Sequence, residues 1–258
     1  EGQLSPAARA HHLTSAGETE RGRLLYLSAA RASRDRWAMD HAAECYEAAL
    51  ALGEEDELWL EACIEFLRHT LLPRDHPETV RRATHALRLA RDAGNDGAVG
   101  QCHSLLAECA LMAGSLDEAR REDTIALRYH ARVGNAESEI LCLIRLARVE
   151  QLSSRLDDAE RLAQEAARLA AAVPECEGQV LAALASIMSD QGRIDEALDT
   201  YELALARLSA SGARRRQCAV QQNVGAALAN QGDFHAAMAA FRAALEIAVD
   251  IGDVRQEA

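Results

Sequence analysis

A few groups of side chains in this sequence combine residue types and spacings that could do chemistry. His41 and Cys45 stand one helical turn apart and could share a metal ion; Cys102 with His103 and Cys109, and His11 with His12, are the other near-clusters. None of them has a third or fourth ligand within reach by sequence, so they read as structural residues, and neither a metal nor another cofactor is expected. Arg145 and Arg148, also one turn apart, could present paired guanidinium groups to a carboxylate. Arg214, Arg215 and Arg216 could anchor an acidic partner, but the run reads better as a solvated turn, despite its mild conflict with a helix dipole.

Catalytic signatures are missing. The sequence contains no phosphate-binding G-x-x-x-x-G-K-S/T, no G-x-G-x-x-G in a strand–turn–helix setting, no H-E-x-x-H and no G-x-S-x-G. The expectation is a protein that is not an enzyme and that works by binding.

Composition narrows what it could bind. The formal net charge of -13 would repel a phosphate backbone, and no stretch sets a basic face against it, so nucleic acid is not an expected partner. All 28 basic residues are arginine. The seven cysteines are scattered without a C-x-x-C pair, which suits small buried hydrophobes in a reducing compartment, and a cytoplasmic location is expected. No apolar run approaches the length of a membrane span, so no membrane association is expected. Aromatic residues make up only 3% while alanine and leucine dominate, which favours closely packed helices over sheet.

The elements that must position any site follow from a repeat. QGRIDEALDTYELALARLSASG at 191–212 returns as QGDFHAAMAAFRAALEIAVDIG at 231–252. Gly53, Gly94, Gly134, Pro174, Gly212 and Gly252 close successive phrases at steps of 41, 40, 40, 38 and 40 residues. Glycine ends a helix in left-handed conformation and proline cannot continue one, so Pro174 is expected to serve the same purpose. Within each phrase a small residue is followed four positions on by a larger one and three further by alanine: Ala42/Tyr46/Ala49, Ala119/Asp123/Ala126, Ala159/Ala163/Ala166, Ala197/Tyr201/Ala204 and Ala237/Phe241/Ala244, with Thr79/Ala83/Ala86 as the weak copy. That spacing places all three on one helical face. Ala107, Ala147, Ala185 and Gly225 mark a preceding helix, and Gly114, Ser154, Gly192 and Gly232 the turn between the two. Each unit is thus an antiparallel helix pair that buries its apolar face only against the next copy. Trp37 and Trp59 read as fillers between unlike units.

LAECALMAGSLDEARREDTIAL, LAALASIMSDQGRIDEALDTYELAL and VGAALANQGDFHAAMAAFRAAL resemble tetratricopeptide repeats of the longer variety, about 40 residues each. The resemblance covers nearly the whole chain and weakens at 54–94; Asp123 departs from the bulky residue usual at its place. It implies an all-α fold, an α-α superhelix or TPR-like solenoid of about six helical hairpins plus an N-terminal opening helix. The expected division is 1–36 for the opening helices, then units at 37–53, 54–94, 95–134, 135–174, 175–212 and 213–252, with 253–258 starting another. A half-motif at Gly17, Gly22, Tyr26 and Ala29 makes one helix, about 19–36, serve two neighbours. This arrangement resembles the repeat region of bacterial STAND-type ATPases and related signalling regulators, and the chain is expected to be a portion of a larger protein.

In solenoids of this kind the first helices of the pairs line a concave binding face. The side chains on them that point away from the packing seam are Glu65, Arg68, Gln101, Glu108, Arg145, Arg148, Gln179, Ser186, Gln222, Asn223 and Asn230. In the family, polar residues at such places hold the backbone and carboxylates of an extended peptide, and Asn223 and Arg145 match best; the absence of lysine departs from the family's carboxylate clamp. The expected function is a scaffold for a protein or peptide segment, possibly a neighbouring domain of the same polypeptide, within the sensor region of a bacterial signalling protein. The alternative is a receptor for a small molecule or oligopeptide in a transcriptional regulator. An uncapped C-terminal end would also permit a homodimer.

Overall fold

The computed structural model describes residues 5–36, 38–72 and 75–251, so Trp37, Gly252 and residues 253–258 lie outside the described residues. Among the described residues every regular element is helical. They form two compact units that divide between Val133 and Gly134.

The first unit contains α1 (Pro6–Ser15), α2 (Thr19–Asp35), α3 (Met39–Leu52), α4 (Glu57–Phe66), α5 (His76–Asp92), α6 (Asp96–Met112) and α7 (Leu116–Val133). Helix α2 packs against both α1 and α3, and α6 pairs with α7. Several starts are set by short polar side chains that satisfy an otherwise orphaned amide: Asp56 accepts from the Trp59 N–H at 2.7 Å, Asp75 from Glu78 at 3.0 Å and Asn95 from Ala98 at 2.9 Å. The weak copy of the repeat coincides with an irregularity. Helix α4 widens into a π-helical turn at Leu67–Leu71 before α5 begins. Trp59 is half-buried against this unit's core, its indole N–H donating to the Leu50 carbonyl at 3.2 Å.

One ion pair between a buried arginine and a half-exposed aspartate ties the beginning of this unit together. The Arg23 side chain is 1% exposed and donates to both Asp56 oxygens, at 2.8 and 2.6 Å. Gly53 makes this possible, because a Cβ there would run into the guanidinium. Asp56 therefore fastens α2 and caps α4 with the same carboxylate. The Arg23 hydrogen bond holds its pKa down, to about 2.

The second unit contains α8 (Ala136–Leu152), α9 (Leu156–Ala170), α10 (Pro174–Asp190), α11 (Ile194–Ala210), α12 (Arg214–Gln231) and α13 (Phe234–Asp250). They form three consecutive antiparallel hairpins, α8–α9, α10–α11 and α12–α13. Pro174 does not end a helix here. It opens α10 in the first turn, where its missing N–H costs nothing, while α9 has already stopped at Ala170. The turn positions Gly114, Ser154, Gly192 and Gly232 all have positive φ (74°, 59°, 79° and 90°), so Ser154 holds a left-handed conformation that its three counterparts leave to glycine. The triplet positions face inward in all but one place: Ala159, Ala163 and Ala166 are fully buried, as are Ala197, Tyr201 and Ala204, and Asp123 is buried between Ala119 and Ala126, but in the last triplet Phe241 is 42% exposed between the buried Ala237 and Ala244.

Packing through small side chains leaves little slack. A Cβ on Gly178 would lie 2.8 Å from Leu208 Cγ, whereas Gly97 has nothing nearer than 3.5 Å. We expect Gly178→Ala to cost about 1–3 kcal/mol by overpacking, and Gly97→Ala to be neutral or stabilising by about 0.5 kcal/mol; urea denaturation of the two variants measures the difference. The Asp56 pKa is depressed, so the stability it contributes is complete above its ordinary value and lost as pH falls toward 2. Asp56→Asn should lower stability at pH 7 and flatten the fall in melting temperature between about pH 4 and pH 2.

Candidate functional site

In the second unit the first helices of the three hairpins lie side by side, α10 touching both α8 and α12. An open groove of about 390 Å³ crosses all three. Its floor is apolar, made by Ile144 and Ala147 of α8, Ala182 and Ile187 of α10 and Val220 of α12, with Leu208 reaching in from α11. Its polar groups come from the same helices: Arg148 and Gln151, Gln179 and Ser186, Arg216 and Asn223. The pairs 144/151, 179/186 and 216/223 are each seven residues apart, two helical turns, which is why each helix delivers two side chains to one face.

Hydrogen bonds organise one side of the groove. Arg148 donates to Gln151 Oε1 at 3.0 Å, and Gln151 Nε2 donates to Ser186 Oγ at 2.9 Å and to Asp190 Oδ2 at 2.6 Å. Beneath them Tyr201 is buried and hydrogen-bonded to Ser186; burial pushes its phenol up to about 12, so it stays neutral. On the other side the Gln179 amide, assigned with its oxygen toward Arg216 because that orientation satisfies the hydrogen-bond network, accepts from both terminal nitrogens of Arg216, at 3.2 and 3.3 Å.

Arg148 and Arg216 differ from most arginines around them. Arg155 pairs with Glu150, Arg193 with Glu160 and Glu196, Arg207 with Glu177, and Arg214 with Asp250. The two groove arginines have only amide oxygens as partners among the described residues. They bring positive charge that is not cancelled locally to an apolar floor, in a chain whose net charge is -13. An arrangement of this kind can accept an anionic group and hydrogen-bond the polar atoms beside it.

Of the side chains singled out from the sequence, Arg148, Gln179, Ser186 and Asn223 come together here. Arg145 does not line the groove, and its guanidinium donates to Cys142 Sγ at 3.4 Å. Gln222 and Asn230 sit on α12 outside the lining. In the first unit Glu65 is committed internally, accepting from Arg31 at 2.9 Å through each oxygen and from the Tyr46 hydroxyl at 2.9 Å. Burial works to raise its pKa, yet these bonds hold the carboxyl below its ordinary value. Arg68 lies in the π-helical turn, and Gln101 and Glu108 are half-buried on α6. Gln151 and Arg216 were missed as groove residues; their seven-residue spacing from Ile144 and Asn223 is the signal that could have found them. The run 214–216 is exposed, as read from the sequence, and forms the first turn of α12, where Arg214 pairs with Asp250 at 2.7 Å and Arg216 meets Gln179.

Two of the metal-type near-clusters are held by contacts that need no metal. His41 Nδ1 lies 3.6 Å from Cys45 Sγ, and His103 is held by Glu122 at 2.6 Å and Arg91 at 3.1 Å. Among the described residues no group of three or more histidine, cysteine or acidic side chains could hold a metal ion. Nor, among them, is any helix long and apolar enough to cross a membrane.

A tetratricopeptide-repeat family model matches residues 138–210, and a second one matches residues 219–248. No curated protein gives a significant match. Among solved structures the chain is similar to aspartyl phosphate phosphatase F from Bacillus subtilis, with a TM-score of 0.70 at 12% identity over 89% of this chain and 71% of that one. It is similar to a Rap protein complexed with competence and sporulation factor, with a TM-score of 0.66 at 12% identity over 90% and 76%. A third is a STAND signal-transduction ATPase with a tetratricopeptide repeat sensor from Pyrococcus horikoshii, with a TM-score of 0.67 at 14% identity, where the match covers 89% of this chain and 36% of that protein. At these identities the likeness is one of fold.

All seven cysteines are buried thiols outside any disulfide, and burial pushes the thiols of Cys63 and Cys102 up to about 12. We expect both to stay unreactive toward a disulfide reagent at neutral pH in the native protein and to react at once in denaturant, as a thiol titration with and without guanidinium would show.

Proposed function

We propose that this tetratricopeptide-repeat protein is a non-catalytic binding module that captures a protein or peptide segment bearing a carboxylate in the groove across α8, α10 and α12. The observation that carries this reading is the pair Arg148 and Arg216, cations without a carboxylate partner among the described residues, set beside an apolar floor. An incoming carboxylate gains charge-assisted hydrogen bonds from a guanidinium whose N–H groups now meet only neutral amides. Gln179 and Asn223 supply the donors and acceptors that an extended backbone needs, and the floor takes one or two apolar side chains. Gln151 and Asp190 keep the Ser186 side in place before anything binds, which reduces the ordering cost of association.

The groove's open form favours a chain over an enclosed small molecule. The Rap protein named above was solved with a signalling factor bound, and the STAND protein uses its repeats as a sensor; both support a regulatory role for this chain within a larger signalling protein. The other polar candidates, Arg145, Gln222 and Asn230 in this unit and Glu65, Arg68, Gln101 and Glu108 in the first, would in this reading extend contacts beyond the groove or serve packing. A neighbouring domain of the same polypeptide is one source of the segment.

The test is selection of a random peptide display library on the whole chain, followed by fluorescence anisotropy with the selected peptides. Acidic peptides should emerge. Arg148→Ala with Arg216→Ala should weaken them by about 1.5–3 kcal/mol for each charged hydrogen bond lost, with a shallower salt dependence, while Arg168→Ala on α9 should leave binding unchanged. Selection of uncharged sequences, or affinity indifferent to the two groove arginines, would refute the assignment.

A further inference from the structure

Helix α5, in the first unit, carries a cluster of cations that the groove does not use. Arg81, Arg82, His85, Arg88 and Arg91 all stand on it. The first two arginines are committed, since both bond Glu78, at 2.6 and 2.5 Å. Arg88 and Arg91 are exposed and have a different kind of partner. Arg88 donates to His85 Nδ1 at 2.9 Å, and His85 Nε2 lies 2.7 Å from Glu55. Arg91 donates to His103 Nε2 at 3.1 Å, and His103 Nδ1 lies 2.6 Å from Glu122.

A guanidinium has only donors, so the ring nitrogen facing it must be the one without a proton, and the opposite nitrogen donates to the glutamate. Twice, then, an imidazole stands between an arginine and a carboxylate. The glutamates bond the rings, and among the described residues neither Arg88 nor Arg91 reaches a carboxylate within ion-pair distance. The rings are themselves fixed: His103 is buried and stacked on Tyr129, and His85 stands perpendicular to the Trp59 ring. Each arginine spends one terminal nitrogen on its ring, which holds the side chain in place and leaves its other donors for a ligand. An open cavity of about 420 Å³ lies over them, lined by Arg81, Thr84, His85, Arg88 and Arg91, with Asp92 as the one carboxylate in its wall.

We propose that this cavity binds an oxyanion of the phosphate type between Arg88 and Arg91. The two residues are one turn apart, about 4.5 Å along the helix axis, so one compact ion meets both. A carboxylate has two oxygens in one plane and matches a single guanidinium fork, whereas a tetrahedral dianion has oxygens for both forks and cancels both charges. Arginines already held by their imidazoles lose less freedom when the ion arrives. Asp92 opposes the ion and limits its affinity.

The probe is inorganic phosphate, titrated into the whole chain at constant ionic strength with chloride as the balancing anion, and followed by the arginine side-chain Nε–Hε signals of a nitrogen-15 labelled sample. Saturable shifts are expected at Arg88 and Arg91. Arg88→Gln with Arg91→Gln should weaken binding about tenfold or more. Asp92→Asn, which removes no donor, should strengthen it about twofold to fivefold. Circular dichroism melts check that the variants fold, and if the double variant does not, Arg88→Gln alone and Asp92→Asn decide the matter. A second arm uses a short glycine–serine peptide carrying one phosphoserine: tighter binding than inorganic phosphate identifies a phosphorylated segment as the source of the group, and weaker binding identifies the free ion. Shifts confined to Arg148 and Arg216, shifts that do not saturate, or an affinity unmoved by the α5 variants would each overturn the proposal.

Discussion

Close approach of neighbouring helices through alanine and glycine is the constraint on which the rest depends. Buried alanines such as Ala159, Ala163 and Ala166 contribute little area each, so stability is spread over many contacts instead of a few large anchors. The gain is geometric. Helices held this near each other allow α8, α10 and α12 to place polar side chains on a common face while their apolar neighbours still form a floor. Gly178 and Gly225, against which Leu208 and Phe241 lie, show how little room the packing leaves.

Electrostatics then separates structural arginines from available ones. An acidic chain has carboxylates to spare, and most arginines near the groove are paired with them, including Arg155, Arg193 and Arg214. Arg23 goes furthest, sinking its whole side chain beneath Gly53 to reach Asp56. Against that background a guanidinium that meets only amides is informative, because desolvating a paired cation for a ligand would first require breaking its pair. Arg148 and Arg216 are spared that cost. The groove offers charge and hydrogen bonds over a shallow apolar floor, which suits an extended segment.

The repeat period, the helix pairs, the turn positions and the inward-facing triplets were legible in the chain, because glycine, alanine and apolar spacing act locally and leave a one-dimensional trace. Four groove residues, Arg148, Gln179, Ser186 and Asn223, were legible for the same reason: a helix dictates which side chains share a face. Other outcomes depended on contacts between residues far apart in the chain. Pro174 could end one helix or begin the next, and only the packing of α9 and α10 decided it. Glu65 and Arg148 looked alike as polar residues on first helices, yet Arg31 and Tyr46 claim the first and, among the described residues, no carboxylate claims the second. Sequence spacing says where a side chain points along its own helix; which oppositely charged group meets it there is a property of the assembled structure, and that is what separates a binding residue from a brace.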